Sequence, residues 1–202
     1  MSTTVFIVDD DAAVRDALTL LIESVGLACR AYESAADFLA GHGRDERGCL
    51  ILDVRMPGMS GLELQDRMVQ QGVVLPTIFI SGHADVSMAV HAMRAGAFDF
   101  LEKPFNDQAL IDRVNAALEH DSEIRSLQEV RQDIVGREST LTPREREIMG
   151  LVTGGNMNKT IAADLGLSER TVEIHRSHVM EKMQAGSLAE LVRMQVILEQ
   201  KS

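Results

Sequence analysis

The chain has 202 residues, 45% of them hydrophobic and 25% charged, with a mean hydropathy of −0.02. This composition excludes a disordered or collagenous chain and suits two small domains. No window approaches 18 consecutive apolar residues, and no basic patch with a following apolar run opens the sequence, so we expect a cytoplasmic protein without membrane contact.

The formal net charge of −11 argues at first sight against nucleic acid as a partner. The charge is unevenly spread, however. Residues 1–120 carry 9 Lys/Arg against 18 Asp/Glu (net −9), residues 121–140 carry 3 against 5 (net −2), and residues 141–202 carry 8 against 8 (net 0). The acidity belongs to the front of the chain, so the back must be judged on where its charges point. The two cysteines, Cys29 and Cys49, lie in short apolar runs that read as strands. A buried thiol there acts as a small hydrophobe, and neither disulfide nor zinc is expected.

In chain order, β-rich runs at Thr4–Val8, Ala28–Tyr32, Cys49–Asp53, Thr77–Ser81 and Phe98–Leu101 alternate with helical patterns at 13–24, 35–40, 61–70, 86–95 and 107–118. Ser34 with Asp37 and Ser60 with Glu63 match the capping box that opens helices. Five βα units of this length predict an α/β domain with a flavodoxin-like, doubly wound, five-stranded parallel sheet. From 121 to 137 the apolar content thins and charges alternate, which predicts a helical linker. Thr142-Pro143-Arg144-Glu145 then combines cap, first-turn proline and box carboxylate. Helices at 143–153, 158–165, 169–183 and 188–198 follow, without a strand pattern, so the second module is a small all-α domain. The domain boundaries are set at 4–120 and 138–202.

Strand one runs into Asp9-Asp10-Asp11 and strand three ends in Asp53. In open parallel sheets the ligand site lies beyond the carboxyl ends of the strands where strand order reverses, so Asp9, Asp10 and Asp53 are expected to converge. Clustered carboxylates call for a hard divalent cation and a nearby lysine, and Lys103-Pro104 after strand five supplies the lysine. Mg²⁺ with carboxylate and phosphate oxygens suits phosphoryl transfer, which makes Asp53 a candidate nucleophile. The plainer alternative is that each aspartate is a turn former or helix cap. Against it stand four polar features, with Ser81 after strand four among them, at four strand ends.

The segments VFIVDDD, LILDVRMPGMSGLEL, IFISGHAD and AGAFDFLEKPF resemble the receiver domain of two-component response regulators over about residues 4–118. The resemblance implies Asp53 as phosphoacceptor, Asp10 as a direct Mg²⁺ ligand, Asp9 as its helper and the Arg55 backbone carbonyl as a further ligand. It also implies that Lys103 pairs with the phosphoryl group, that Ser81 donates its hydroxyl, and that Phe100 is the aromatic whose rotamer follows. Many receivers carry Thr and Tyr where this chain has Ser81 and Phe100, so switching here relies on ring burial rather than a tyrosine hydrogen bond. The loop 81–85 and the helix at 86–95 are the expected bistable elements. By the same resemblance, phosphorylated receivers dimerise through helix four and strand five. Val90, Arg94 and Asp99 are expected there, the two charges pairing reciprocally across a two-fold axis.

In the back half, Asn158–Leu165, a Gly166-Leu167-Ser168 turn and a longer helix suggest helix-turn-helix. On that longer helix Val172, His175, Val179 and Met183 share a buried stripe, which leaves Arg170, Glu173, Ile174, Ser177, His178 and Glu181 outward. Glu173 and Ile174 can read base edges, while Lys159, Arg176 and Lys182 flank them within reach of phosphates. The plainer alternative is a solvated helix face. The segment LTPREREIMGLVTGGNMNKTIAADLGLSERTVEIHRSHVMEKM is similar to the LuxR-type DNA-binding domain, and its union with a receiver resembles the NarL/FixJ family, in a FixJ-like form. The resemblance implies Glu169–Met183 as recognition helix, a sensor histidine kinase as phosphodonor, a double-stranded operator of two half-sites, a homodimer on phosphorylation, and RNA polymerase as a downstream partner. It implies no enzyme beyond slow self-dephosphorylation. A haloacid-dehalogenase-like phosphatase, with Asp9 as nucleophile and a further acidic pair at a strand end after the lysine, is the enzyme-class alternative. A phosphorylation-independent DNA binder is the third.

Overall fold

The computed structural model describes residues 3–43, 46–82 and 86–200, leaving aside the side chain of Val86. Five strands, β1 (Thr4–Val8), β2 (Ala28–Tyr32), β3 (Gly48–Asp53), β4 (Thr77–Ser81) and β5 (Asp99–Glu102), alternate with α1 (Ala12–Ser24), α2 (Ala35–Gly41), α3 (Gly61–Gln70), α4 (Val86–Arg94) and α5 (Asp107–Ser139). All neighbours pair in parallel in the order β2-β1-β3-β4-β5, the doubly wound order the sequence predicts. Helices cover both faces, so the inner strands are apolar throughout rather than alternating: β3 and β4 are buried at every residue. Period-two geometry still sorts their side chains. Phe6, Leu50, Leu52 and Phe79 pack with Phe38 and Leu64, while Ile7, Ile51, Ile78 and Ile80 pack with Ile22, Leu110 and Val114.

Two strands begin a residue away from their expected starts, β3 at Gly48 and β5 at Asp99. Gly48 has φ +146°, and a Cβ there would lie 1.7 Å from the Thr4 carbonyl oxygen, so only glycine lets β3 approach β1 this closely. The buried Asp121 carboxylate accepts the Gly48 N–H at 3.2 Å, which anchors α5 to the strand entry.

The chain divides into two compact units, the first ending at Ile124 and the second beginning at Arg125. α5 runs without interruption to Ser139; the charged stretch 121–137 offers no proline to stop it. The second unit continues with α6 (Pro143–Thr153), α7 (Asn158–Leu165), α8 (Glu169–Met183) and α9 (Leu188–Glu199). Thr142 caps α6 with a complete capping box and Pro143 in its first turn. Ser60 does the same for α3 with Glu63. Ser34 and Ser187 make only half of their boxes: Asp37 turns to the Ser34 hydroxyl and Glu190 to the Gly186 N–H. The helices close over Ile148, Met149, Val152, Ile161, Val172, Val179, Met183 and Leu191. Among the described residues, no helix is long and apolar enough to cross a membrane.

Candidate functional site

β1 and β3 lie side by side and β5 ends the sheet beyond β4, so the residues leaving their carboxyl ends share one rim of the first unit. Asp9 and Asp53 are buried there. The Lys103 ammonium reaches both, Nζ donating to Asp9 Oδ2 at 2.7 Å and to Asp53 Oδ1 at 2.8 Å. The remaining oxygens are also engaged: Asp9 Oδ1 accepts the Asp11 N–H at 2.9 Å, and Asp53 Oδ2 accepts the Arg55 N–H at 2.7 Å. Arg15, which the sequence reading passed over, donates through Nη1 to the Asp9 and Asp10 carbonyls at 2.8 and 2.9 Å. Its position one turn after the Asp11 cap is the signal that could have found it.

Two carboxylates on one ammonium leave negative charge uncompensated in a desolvated place. Burial pushes the Asp53 carboxyl above its ordinary range and the charge of Asp9 adds to this, against the opposing pull of Lys103 and the Arg55 N–H. Burial alone would lower the Lys103 ammonium, but its bonds to Asp53 and Asp9 outweigh that and hold it above its ordinary value. The rim therefore favours an added cation or a transferred phosphoryl group paired with Lys103. Its donors are carboxylate and carbonyl oxygens, the hard set that suits Mg²⁺.

The other expected members sit around this centre in different ways. Asp10, the next residue after Asp9, is exposed just past the end of β1. Ser81 is buried at the end of β4, its carbonyl accepting the Lys103 N–H at 2.8 Å. Phe100 is half-buried against the core around Phe6 and Phe79. Residues 83–85 of the expected switching loop lie outside the described residues. Gly61, which sequence reasoning did not single out, passes under the site: a Cβ there would lie 2.2 Å from the Asp53 carbonyl oxygen. On α4, Val90 and Arg94 are exposed. The Asp99 carboxylate, partly exposed on β5, meets Arg113 Nε of the same chain at 2.7 Å. The acidic pair that the phosphatase alternative needs is missing too: Asn106 Oδ1 accepts the Gln108 N–H at 2.8 Å as the cap of α5, and among the described residues no strand follows β5.

In the second unit, α7, a short turn and α8 form the helix-turn-helix. Val172, Val179 and Met183 are buried and His175 half-buried, while Arg170, Glu173, Ile174, Ser177, His178 and Glu181 face out. Lys159 is exposed at the start of α7. The other two flanking cations are engaged within the fold. Arg176 Nη1 donates to Asn158 Oδ1 at 2.7 Å, and Lys182 Nζ donates to Glu145 Oε2 at 2.6 Å. Lys182 is thus drawn back to the α6 cap, because Glu145 is buried and its charge needs a partner.

Residues 5–115 match the family described as response regulator receiver domain, and residues 139–195 match the luxR family of bacterial regulatory proteins. The chain is 50% identical to Nodulation protein W of Bradyrhizobium diazoefficiens, over 94% of this chain and 84% of that one. It is 47% identical to the transcriptional regulatory protein FixJ of Azorhizobium caulinodans, over 97% and 93%. Among solved structures, the response regulator StyR superposes with a TM-score of 0.87 at 42% identity, covering 97% of this chain and 99% of that one. Full-length FixJ from B. japonicum gives a TM-score of 0.59 at 40% identity, covering 100% of both.

Proposed function

The chain belongs to the response regulators that join a receiver to a LuxR-type DNA-binding domain, and from that membership we propose that it is switched by phosphorylation of Asp53. It is a DNA-binding two-component regulator, with a kinase and DNA as partners. The observation that carries the finer reading is the shared ammonium: Lys103 lies 2.8 Å from the nucleophile's oxygen and 2.7 Å from the second carboxylate.

In this mechanism an Asp53 carboxylate oxygen attacks the phosphorus of a phosphohistidine on the sensor kinase. The P–O bond forms as the P–N bond breaks, and the departing imidazole takes up a proton. The Arg55 N–H and Lys103 hold the carboxylate in one orientation, which removes rotational freedom before attack. Mg²⁺, held by Asp9, Asp10, Asp53 and the Arg55 carbonyl, would neutralise charge on the phosphoryl oxygens. The product carries about −1.5 to −2 charges and three acceptor oxygens. Lys103 and the Ser81 hydroxyl would receive them, and Phe100 would follow Ser81 inward. The protein consumes its own phosphoryl group only by slow hydrolysis, so it is a switch rather than an enzyme.

Phosphorylated receivers then pair through α4 and β5. Val90 packs at the centre, and Arg94 of each copy reaches Asp99 of the other, where Arg113 shares the carboxylate. Pairing places two copies of α8 on the two half-sites of an operator, with Glu173, Ile174 and Ser177 toward base edges and Lys159 and Arg170 toward phosphates. The bound dimer then presents itself to RNA polymerase. A unit of zero net charge gains little from phosphate attraction alone, so tethering two copies supplies most of the affinity.

Sedimentation of the full chain with a small phosphodonor and Mg²⁺ tests this. Wild type moves from monomer to dimer and binds two-half-site DNA at least about tenfold more tightly. Asp53→Asn stays monomeric, and Arg94→Glu takes up phosphate but pairs poorly. Wild type that becomes phosphorylated yet remains monomeric with unchanged DNA affinity would defeat the reading.

A further inference from the structure

The second unit holds a cluster that the DNA-binding role does not use. Glu145 on α6 and His175 and His178 on α8 each offer one ligand atom, and the three atoms lie within 4.8 Å of one another. The two histidines are three residues apart, which puts them on one face of α8. Glu145 divides its two oxygens. Oε2 is committed, accepting the Lys182 ammonium at 2.6 Å and the Thr142 N–H at 2.8 Å. Oε1 lies 3.7 Å from His178 Nδ1, too far for a hydrogen bond. His175 Nδ1 is buried and lacks a hydrogen-bond partner among the described residues.

We infer that Glu145, His175 and His178 form a binding site for a divalent transition-metal ion of the Zn²⁺ class. Two imidazole nitrogens and one carboxylate oxygen, with a fourth position open to water, are a donor set that suits Zn²⁺ and disfavours Mg²⁺ or Ca²⁺. Ligands about 2.0–2.2 Å from a tetrahedral ion stand roughly 3.3–3.6 Å apart, so the 3.7 Å between Oε1 and His178 Nδ1 is near that spacing, and the three atoms, all within 4.8 Å of one another, have about 1 Å at most to close. The bonds from Lys182 and Thr142 to Oε2 act as outer-shell support, fixing the carboxylate plane while leaving Oε1 for the ion. The His178 side chain is 51% exposed, which gives the ion a way in. The expectation of no zinc came from the cysteines, and this site uses none. A bound ion would tie α6 to the middle of α8 and add positive charge to a helix whose Arg176 and Lys182 are engaged within the fold.

The test uses the full chain in excess Mg²⁺, which fills sites made only of oxygen, with Co²⁺ as a spectroscopic probe. Wild type develops the strong visible absorption of four-coordinate Co²⁺ at stoichiometric metal, Zn²⁺ bleaches it, and Zn²⁺ raises the melting temperature of the second unit. His178→Gln, at an exposed position, and His175→Gln each weaken binding at least about tenfold, with circular dichroism confirming that both fold. Only the weak absorption of six-coordinate Co²⁺ in wild type would overturn the inference. So would binding unchanged in both variants. Neither outcome depends on Asp53.

Discussion

In the receiver unit Lys103 is shared by two buried carboxylates, Asp9 and Asp53; in the DNA-binding unit Lys182 serves one, Glu145. The chemistry is the same and the balance differs. The Lys182 bond, with the Thr142 N–H next, holds the Glu145 carboxyl down at about 2, so its charge is met within the fold. Burial instead pushes the Asp53 carboxyl up, with a smaller push from the charge of Asp9, and Lys103, shared with Asp9, does not offset it. A compensated pair stabilises. An uncompensated one waits for something from outside, and the sheet rim where it sits is where a doubly wound fold places its ligands.

The comparison can be broken from either side. The largest effect is expected from Gly61→Ala, which drives a Cβ into the Asp53 carbonyl. It should cost about 3–5 kcal/mol in denaturant unfolding of the receiver and slow phosphodonor labelling, leaving the second unit intact. Glu145→Gln removes the charge that Lys182 needs and weakens the α6 capping box. It should cost the DNA-binding unit about 2 kcal/mol, read from its own unfolding transition.

Acid separates the units further. The Glu145 carboxyl is depressed in the fold from 4.5 to about 2, so its contribution is complete above the unfolded value and is lost as pH falls through that window. Wild-type melting of the second unit should therefore decline between these two values, and Glu145→Gln should flatten the decline. The smallest effect has the opposite sign. A carboxyl raised in the fold costs stability once it ionises, so Asp53→Asn should raise receiver stability at neutral pH by about 1 kcal/mol while removing its function. A loss of stability on that substitution would mean the site is balanced after all.

Much of this was legible in the sequence because its causes are local. Capping boxes at Ser60 and Thr142 and apolar runs of strand length fix the elements to within a residue or so, apart from α5, which runs from the expected 107–118 on through the linker to Ser139. Strand order then brings Asp9, Asp53 and Lys103 to one rim without any knowledge of side-chain contacts. What escaped depends on partners distant in sequence. Lys182 looked free for phosphate until the fold placed a buried carboxylate 37 residues away against it. The ion pair of Asp99 with Arg113 was likewise hidden until α5 came back against β5. Asp10 differs from Asp9 by one residue, but past the end of β1 the chain bends there and leaves it exposed. The Glu145–His175–His178 cluster spans two helices and leaves no spacing motif to find.

The most direct test of the account is where the phosphoryl group lands. After labelling with a small phosphodonor in Mg²⁺, reduction with tritiated borohydride followed by peptide mapping should place the label at position 53 in wild type, with none in Asp53→Asn. Label at Asp9, or undiminished labelling of Asp53→Asn, would contradict it.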